Sequence, residues 1–299
     1  MRAPFFQAVV VPSLLGTAIV WYRTGVFYWQ YFLLATLAVI CVNAGTNLAN
    51  DYFDHQSDHR GSDDINREPT SFSGGSRVIQ DNLISPRKIY QVSLIFFVLA
   101  ALIGLYLTFV RGLWVLVIGI LGMLSGYLYT ASPIRIGYRG WGEFVAGLNC
   151  GPLVVAGAYY VQAQSLSLEA FFISIPVGLL IAAVLYINEF PDYACDKVAG
   201  KNTLVVKVGR KRARKGFYSL LLGAYLFIIL AVLLKIVPWM VIFSLLTFPL
   251  AWKAMKIVHS NYADTQGLIP AMSSTITTHL TMGLLLSFGY LIARIFTWI

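Results

Sequence analysis

Apolar runs of nearly bilayer length alternate with short polar stretches along almost the whole chain. One helical crossing needs about 20 mostly apolar residues. Nine segments fit: roughly 4–22, 28–54, 86–110, 113–131, 141–162, 168–192, 213–234, 237–258 and 268–298, the first and last interrupted by polar or small residues. The opening stretch, "MRAPFFQAVVVPSLLGTAIVWY", has a basic start, an apolar body and no A-x-A cleavage site. It reads as a first crossing rather than a signal peptide. At 85–90, "SPRKIY" supplies a helix start, with Ser85 as N-cap and Pro86 in the first helical position. The pattern predicts an all-α, polytopic membrane protein of about nine transmembrane helices, forming one domain over residues 1–299.

Composition agrees. Of the 299 residues, 58% are hydrophobic and only 12% charged, whereas a soluble domain carries about a quarter charged residues. The formal net charge of +9 would suggest nucleic acid in a soluble protein. Here membrane topology and anionic partners account for it, and no nucleic-acid partner is expected. The three cysteines, Cys41, Cys150 and Cys195, lie in or beside apolar runs and read as small core residues. Seventeen of the 22 Lys and Arg fall in the loops after crossings two, four, six and eight or in the adjoining helix ends; the odd-numbered loops hold only Arg23, Arg111 and Lys235. The positive-inside rule therefore places the even loops and the N-terminus in the cytoplasm of a cell-membrane protein. Trp21, Trp29 and Trp141 fit an interfacial aromatic belt.

The few acids are not scattered. Ten of 13 gather around the ends of crossings two and six and in the loop after crossing two. "NDYFDHQSD" at 50–58 and "NEFPDYACD" at 188–196 share one layout. Asn50, Asp54 and Asp58 map onto Asn188, Asp192 and Asp196 with a constant offset of 138 residues. On a helix, positions four apart advance about 40° and climb about 6 Å per step, so each set forms one polar stripe. Neither stripe suits lipid; both should face a wet cavity inside the bundle. Facing carboxylates need positive charge between them. Oxygen ligands without Cys or His point to Mg²⁺, with Mn²⁺ as a possible substitute, and Mg²⁺ usually binds through one or two carboxylates plus substrate phosphates. Arg60, Arg67, Arg77, Lys197 and Lys201 lie near enough in sequence to suit those phosphates. Acids, metal and basic side chains around one cavity suggest a diphosphate substrate.

Other signals are weaker. A single Asp at a helix end is often only solvated, but two matched stripes argue against that. His55 and His59 read as loop residues, since no third zinc-type ligand accompanies them. "SFSGGSRVIQ" at 71–80 could cradle a phosphate through Gly74 and Gly75, yet it lacks the Lys-Ser/Thr ending of a P-loop. The 55–85 segment is long for a simple connection, as lids and binding loops often are. "GRKRARKG" at 209–216 could bind anionic lipid but reads better as a topology signal.

With these two motifs and nine crossings, the chain resembles the UbiA superfamily of intramembrane aromatic prenyltransferases over nearly its whole length. The stretches "GGSRVIQDNLISPRK" and "NEFPDY" look most like the branch that prenylates 1,4-dihydroxy-2-naphthoate in menaquinone synthesis. The resemblance implies a prenyltransferase whose polyprenyl diphosphate donor is held by Mg²⁺ on Asn50, Asp54, Asp58, Asn188, Asp192 and Asp196. It implies that Arg67, Arg77 and Lys201 neutralise the remaining diphosphate charge, with Arg135 helping to bind anionic groups. An aromatic acceptor would attack the carbocation inside a membrane-embedded cavity. Tyr129, in "GYLYTASPIR", matches a tyrosine that the family places beside the reacting diphosphate, although it also reads as an ordinary interfacial tyrosine. The basic residue usually ahead of the first crossing can only be Arg2 here. Rival readings are prenyl transfer to 4-hydroxybenzoate, to another quinone precursor or to geranylgeranylglyceryl phosphate, or an ion-coupled transporter. A transporter would show extended repeats or helices broken near mid-membrane. CDP-alcohol phosphotransferase chemistry would need a D-G-x-x-A-R element, which is absent.

Overall fold

A computed structural model describes residues 6–58, 70, 72 and 75–296, without the side chains of Ser57 and Asp58. The helices run in the predicted order: α1 (Gln7–Thr24), α2 (Trp29–Asp58), α3 (Pro86–Arg111), α4 (Trp114–Tyr127), α5 (Gly142–Leu148), α6 (Val154–Ala163), α7 (Leu168–Val198), α8 (Leu204–Val208), α9 (Arg210–Leu233), α10 (Phe248–Asn261) and α11 (Ile269–Phe296). No strand occurs among the described residues. Seven helical segments are long and apolar enough to cross a membrane by length and composition. Helix α1 and the 14-residue apolar α4 fill the remaining two predicted places.

Three details depart from regular helices, for local reasons. Crossing five is α5 and α6 joined by a π turn, Asn149–Leu153, that contains Pro152. Proline has no N–H to give the preceding turn, so the helix widens there instead of ending. Crossing eight starts as a 3₁₀ helix, Trp239–Thr247, before α10. Ser85 does occupy the N-cap of α3 with Pro86 in the first turn, but its side chain makes no capping bond.

The bundle is assembled around α7, whose Ile173, Val177, Leu180, Ile187 and Phe190 belong to the main buried cluster. Helices in lipid gain little from apolar burial against one another, so close backbone contact matters more. Small residues supply that contact. A Cβ on Gly147 would lie 2.7 Å from the Gly178 carbonyl oxygen, and one on Gly151 would lie 2.6 Å from the Gly178 backbone. The first half of crossing five is thereby seated directly on α7. Similarly, Gly45 of α2 faces Phe97 of α3, and Ser93 Oγ donates to the Gly45 carbonyl at 2.7 Å.

At the end opposite the acidic stripes, polar groups clamp the loops. Arg23 Nε meets Glu169 Oε2 at 2.6 Å, joining α1 to α7. Arg294 donates to the Tyr22 carbonyl, joining α11 to α1. Arg111 donates to the carbonyls of Val161 and Gln162, while Gln162 exchanges two 2.9 Å bonds with the backbone of Tyr28. Two of the three basic residues in the odd-numbered loops are thus structural.

Candidate active site

One cavity of about 630 Å³ runs between α1, α2, α3, α4, α6 and α7. On α2 its lining extends from Ala35 to Asn50, about 22 Å along the axis. Its walls are apolar for most of that length, and its polar end carries Asn50, Asn188 and Tyr129. Both predicted stripes therefore open the same cavity with their first residue. Asn50 Oδ1 accepts a 2.7 Å bond from Thr130 Oγ1. Asn188 is 8% exposed, and its Oδ1 has no hydrogen-bond partner. A buried, unsatisfied amide oxygen costs roughly 1–3 kcal/mol unless a ligand meets it.

Two connections meet at this end, the turn at 135–139 and the loop carrying Lys201. Asp54 Oδ1 accepts from Tyr138 Oη at 2.7 Å and meets Lys201 Nζ at 3.2 Å. The Lys201 ammonium also lies 4.9 Å from the Tyr138 ring centroid, and Arg135 approaches that ring at 5.5 Å. Such cation–ring contacts help hold two charges of one sign near each other. The loop carrying Lys201 is fixed through its backbone. Lys201 N–H donates to the Asp196 carbonyl and Asn202 N–H to the Tyr138 carbonyl, at 2.8 and 2.9 Å. The first motif, the 135–139 turn and the second motif are thus joined through Lys201. Asp196 is buried and Asp192 half-buried. Tyr129 sits against Gly137 and Gly142; a Cβ on either would come within 2.6 Å of its ring or hydroxyl. Two missing side chains make the slot for this ring.

Sequence reasoning missed several contributors. Tyr138 and Thr130 hold Asp54 and Asn50, but isolated tyrosines and threonines beside an apolar run carry no distinguishing pattern. Glu143, 3% exposed, accepts from the Leu204 N–H at 3.3 Å and lies against the buried Glu189. Buried carboxyls in a membrane protein are costly, and this pair anchors the start of α8 just beyond Lys201.

Other expected residues stand apart. Arg77 pairs with Asp81 at 3.5 Å, one turn away. In the proposed phosphate loop, the Ser76 N–H donates to Asp51 Oδ1 at 3.1 Å, so that backbone group serves the protein itself. Gly75 does have the positive φ of +72°. His55 borders a shallow surface pocket with Tyr52 and Arg87. Arg2, Arg60, Arg67, His59, Gly74 and the Asp58 side chain lie outside the described residues. In "GRKRARKG", Arg210 ties α9 to the α10–α11 connection through the Ala263 carbonyl, and Arg214 ties it to the last turn of α10 through the His259 carbonyl.

Among the described residues, no three His, Cys, Asp or Glu side chains come together as a metal cage. The oxygens of Asn188, Asn50 and Asp54 at the cavity's polar end suit a hard cation that keeps part of its coordination for a phosphate. These residues fit Mg²⁺ arriving with a diphosphate better than a permanently caged ion.

Known proteins bear on this geometry. A 1,4-dihydroxy-2-naphthoate octaprenyltransferase of Bacillus subtilis (strain 168) is 31% identical over 297 residues, covering 98% of this chain and 91% of that protein. The fold resembles the apo structure of a UbiA homologue from Aeropyrum pernix K1 (TM-score 0.70, 13% identity, 95% of this chain and 97% of that one). It also resembles a UbiA homologue from Archaeoglobus fulgidus bound to GPP and Mg²⁺ (TM-score 0.62, 16% identity, 96% and 97%). The UbiA prenyltransferase family itself matches over residues 9–295. A helical membrane bundle with one long apolar cavity, headed by two Asn-Asp motifs, thus has its counterpart in sequence, and the chain belongs to the UbiA prenyltransferase family.

Proposed function

We propose that this chain, as one domain over residues 1–299, transfers a polyprenyl group from a polyprenyl diphosphate to 1,4-dihydroxy-2-naphthoate, a step of menaquinone biosynthesis. The observation that carries this reading is the cavity between the helices: about 630 Å³, apolar along most of its length, with Asn50, Asn188 and Tyr129 at one end. That shape suits a molecule with a long apolar tail and a small, highly charged head. The acceptor is taken from the Bacillus subtilis relative's name. Donor and Mg²⁺ gain support from the Archaeoglobus fulgidus homologue bound to both GPP and Mg²⁺. The protein sits in the cell membrane with its N-terminus and the polar end of the cavity towards the cytoplasm.

Asn50, Asp54, Asp58, Asn188, Asp192 and Asp196 would hold Mg²⁺, or Mn²⁺ in its place, together with the donor diphosphate. The ion, when bound, stabilises negative charge on the leaving diphosphate. Lys201, Arg67, Arg77 and Arg135 bind the remaining phosphate charge. Lys201 is already held at the rim by Asp54, and Arg77 exchanges Asp81 for phosphate. As the allylic C–O bond ionises, the apolar walls exclude the water that would capture the cation. Tyr129 presents an aromatic face where positive charge develops. An electron-rich ring carbon of the acceptor then forms the new C–C bond with the cation, the ring regains aromaticity by losing a proton or its carboxyl group as CO₂, and the diphosphate released at ionisation departs.

The test uses purified protein, Mg²⁺ and labelled prenyl diphosphate with 1,4-dihydroxy-2-naphthoate, 4-hydroxybenzoate or a glyceryl phosphate acceptor. Labelled naphthoate product that disappears with excess EDTA is expected. Product on another acceptor alone overturns the acceptor assignment, and undiminished turnover in EDTA overturns the metal–diphosphate mechanism.

A further inference from the structure

Most of the cavity wall is hydrocarbon, but a band of amides interrupts it just below the polar end. Asn43 and Asn47 of α2 and Asn149, at the start of the π turn, all line the cavity. Amides in apolar surroundings are costly unless their polar atoms are met. Here the donors are already used. The two hydrogens of Asn47 Nδ2 go to the Asn43 carbonyl at 2.9 Å and to Asn43 Oδ1 at 3.0 Å. Asn149 Nδ2 donates to Ser125 Oγ at 2.8 Å. The Ser125 hydroxyl has a single hydrogen to give. It lies 2.5 Å from the Leu121 carbonyl, against 3.2 Å from that of Gly122 and 3.1 Å from Asn149 Oδ1, so the Leu121 carbonyl takes it. Both amides thus spend their nitrogens on the protein and keep their oxygens as acceptors for an occupant of the cavity.

Their depth follows from helix geometry. Gly126 packs on Thr46 and Thr130 donates to Asn50, so α2 and α4 run in step with a constant offset of 80 residues. Ser125, and with it Asn149, therefore lies about 7.5 Å below Asn50, and Asn47 lies about 4.5 Å below it. A diphosphate held at Asn50 and Asn188 puts the first carbon of its prenyl chain at this level. The hydrocarbon chain has no polar atom to offer an amide oxygen, and the diphosphate oxygens lie above. An acceptor ring must come within about 3–3.5 Å of that first carbon to react, and its hydroxyl groups are donors. The π turn that presents Asn149 is itself a distortion that recurs at functional sites.

From this we infer that Asn47 and Asn149 form the acceptor subsite: their amide oxygens accept hydrogen bonds from the hydroxyl groups of a hydroxyaromatic ring and hold that ring against the first prenyl carbon. The inference rests on the prenyltransferase reading above and deepens it, by assigning the part of the cavity that reads the acceptor. A hydroxyl bonded to an amide oxygen releases more electron density into its ring, which favours attack on the cation. A ring without that hydroxyl leaves a buried acceptor oxygen unmet and is disfavoured.

The test reads binding without turnover, anaerobically, on the protein with Mg²⁺ and farnesyl S-thiolodiphosphate, a donor analogue that resists ionisation. The probes are 1,4-dihydroxy-2-naphthoate and 1-hydroxy-2-naphthoate, which lacks one ring hydroxyl. The parent should bind the dihydroxy compound at least about tenfold more tightly, as one hydrogen bond to a buried acceptor provides. That preference should fall to about twofold or less in Asn47→Leu or in Asn149→Leu, whichever residue takes the missing hydroxyl. In steady-state turnover both variants should raise KM for the acceptor at least about tenfold and keep KM for prenyl diphosphate within about twofold. A parent that binds the two naphthoates equally, or binds neither, overturns the subsite, whether or not the variants fold. So does a parental acceptor KM in both variants, or a rise in donor KM equal to the rise in acceptor KM. Loss of monodispersity in both variants also overturns it, since the amides would then be structural. These outcomes leave the prenyltransferase reading intact; a parent that transfers no prenyl group to any acceptor overturns that reading, and this inference with it.

Discussion

Asp54 shows how one carboxylate serves both fold and proposed chemistry. Its Oδ1 accepts from Tyr138 and meets the Lys201 ammonium, so this charge is compensated at the cavity rim before any substrate arrives. The pair is partly exposed, 34% for Asp54 and 11% for Lys201, and contributes at most modestly to stability. Its value lies in placing an acid and a base together where a diphosphate and its metal would divide them. Asp54→Ala and Asp192→Ala should each abolish prenyl transfer, since each removes a carboxylate acting as charge builds on the leaving group. The double variant should cost little more than either single one, because groups that act as a unit are strongly non-additive. In detergent without Mg²⁺ and donor, each variant should melt near the parental temperature. Mg²⁺ plus prenyl diphosphate should stabilise the parent and have much less effect on the variants. Near-parental activity, or loss through unfolding alone, would make the acids structural.

Among the helices, α7 carries the second motif and takes its position from backbone contact. Gly178 meets the Gly147 carbonyl and the Gly151 backbone at distances that leave no room for a side chain. Ten residues further along the same helix, Asn188 faces the cavity. Gly178→Val should therefore push crossing five away from α7 and lower stability by roughly 1–3 kcal/mol or more. Thermal melting of the detergent-solubilised variant reads this directly, with Gly119→Ala as a helical glycine substitution that meets open space. A melting temperature for Gly178→Val equal to the parent's would show that the helices do not depend on this crossing. Helix α4 behaves in the opposite way. At 14 residues it is short for a crossing, and its cavity face is rich in glycine, so it forms a thin wall.

Across the whole molecule the two ends differ. One end is clamped by Arg23–Glu169, Arg294–Tyr22 and Arg111 with Gln162 and Tyr28. The other gathers Asp54, Asp192, Asp196, Lys201 and Arg135. Bonds at the clamped end hold helix termini at fixed spacing, while the proposed ligand-binding end is assembled from turns. On the topology proposed above, drawn from the uneven distribution of Lys and Arg, the second end faces the cytoplasm. In a background lacking Cys41, Cys150 and Cys195, a single cysteine at Asn202 should react with an impermeant maleimide only from the cytoplasmic side. One at Ser165, exposed at the other end, should react only from outside. The reverse pattern would invert the topology.

The linear chain was enough to define the crossings, because each must satisfy its own backbone hydrogen bonds and present an apolar surface over a bilayer's thickness. It was also enough to bring out Asn50, Asp54, Asn188, Asp192 and Asp196, because acids are costly inside an apolar helix and two copies of one spacing are conspicuous. Tertiary structure decided what those residues meet. Lys201 reaches Asp54 across 147 positions of sequence only because the Asp196 carbonyl, the Tyr138 backbone and Glu143 hold its loop. Arg77, close to the first motif in sequence, pairs with Asp81 instead. Glycine has no side chain by which its role can be told from sequence: Gly178 meets another backbone, Gly137 makes room for Tyr129, and Gly119 meets nothing within 4 Å. Whether a missing side chain serves as a contact, a slot or neither depends on what lies opposite, and folding alone fixes that.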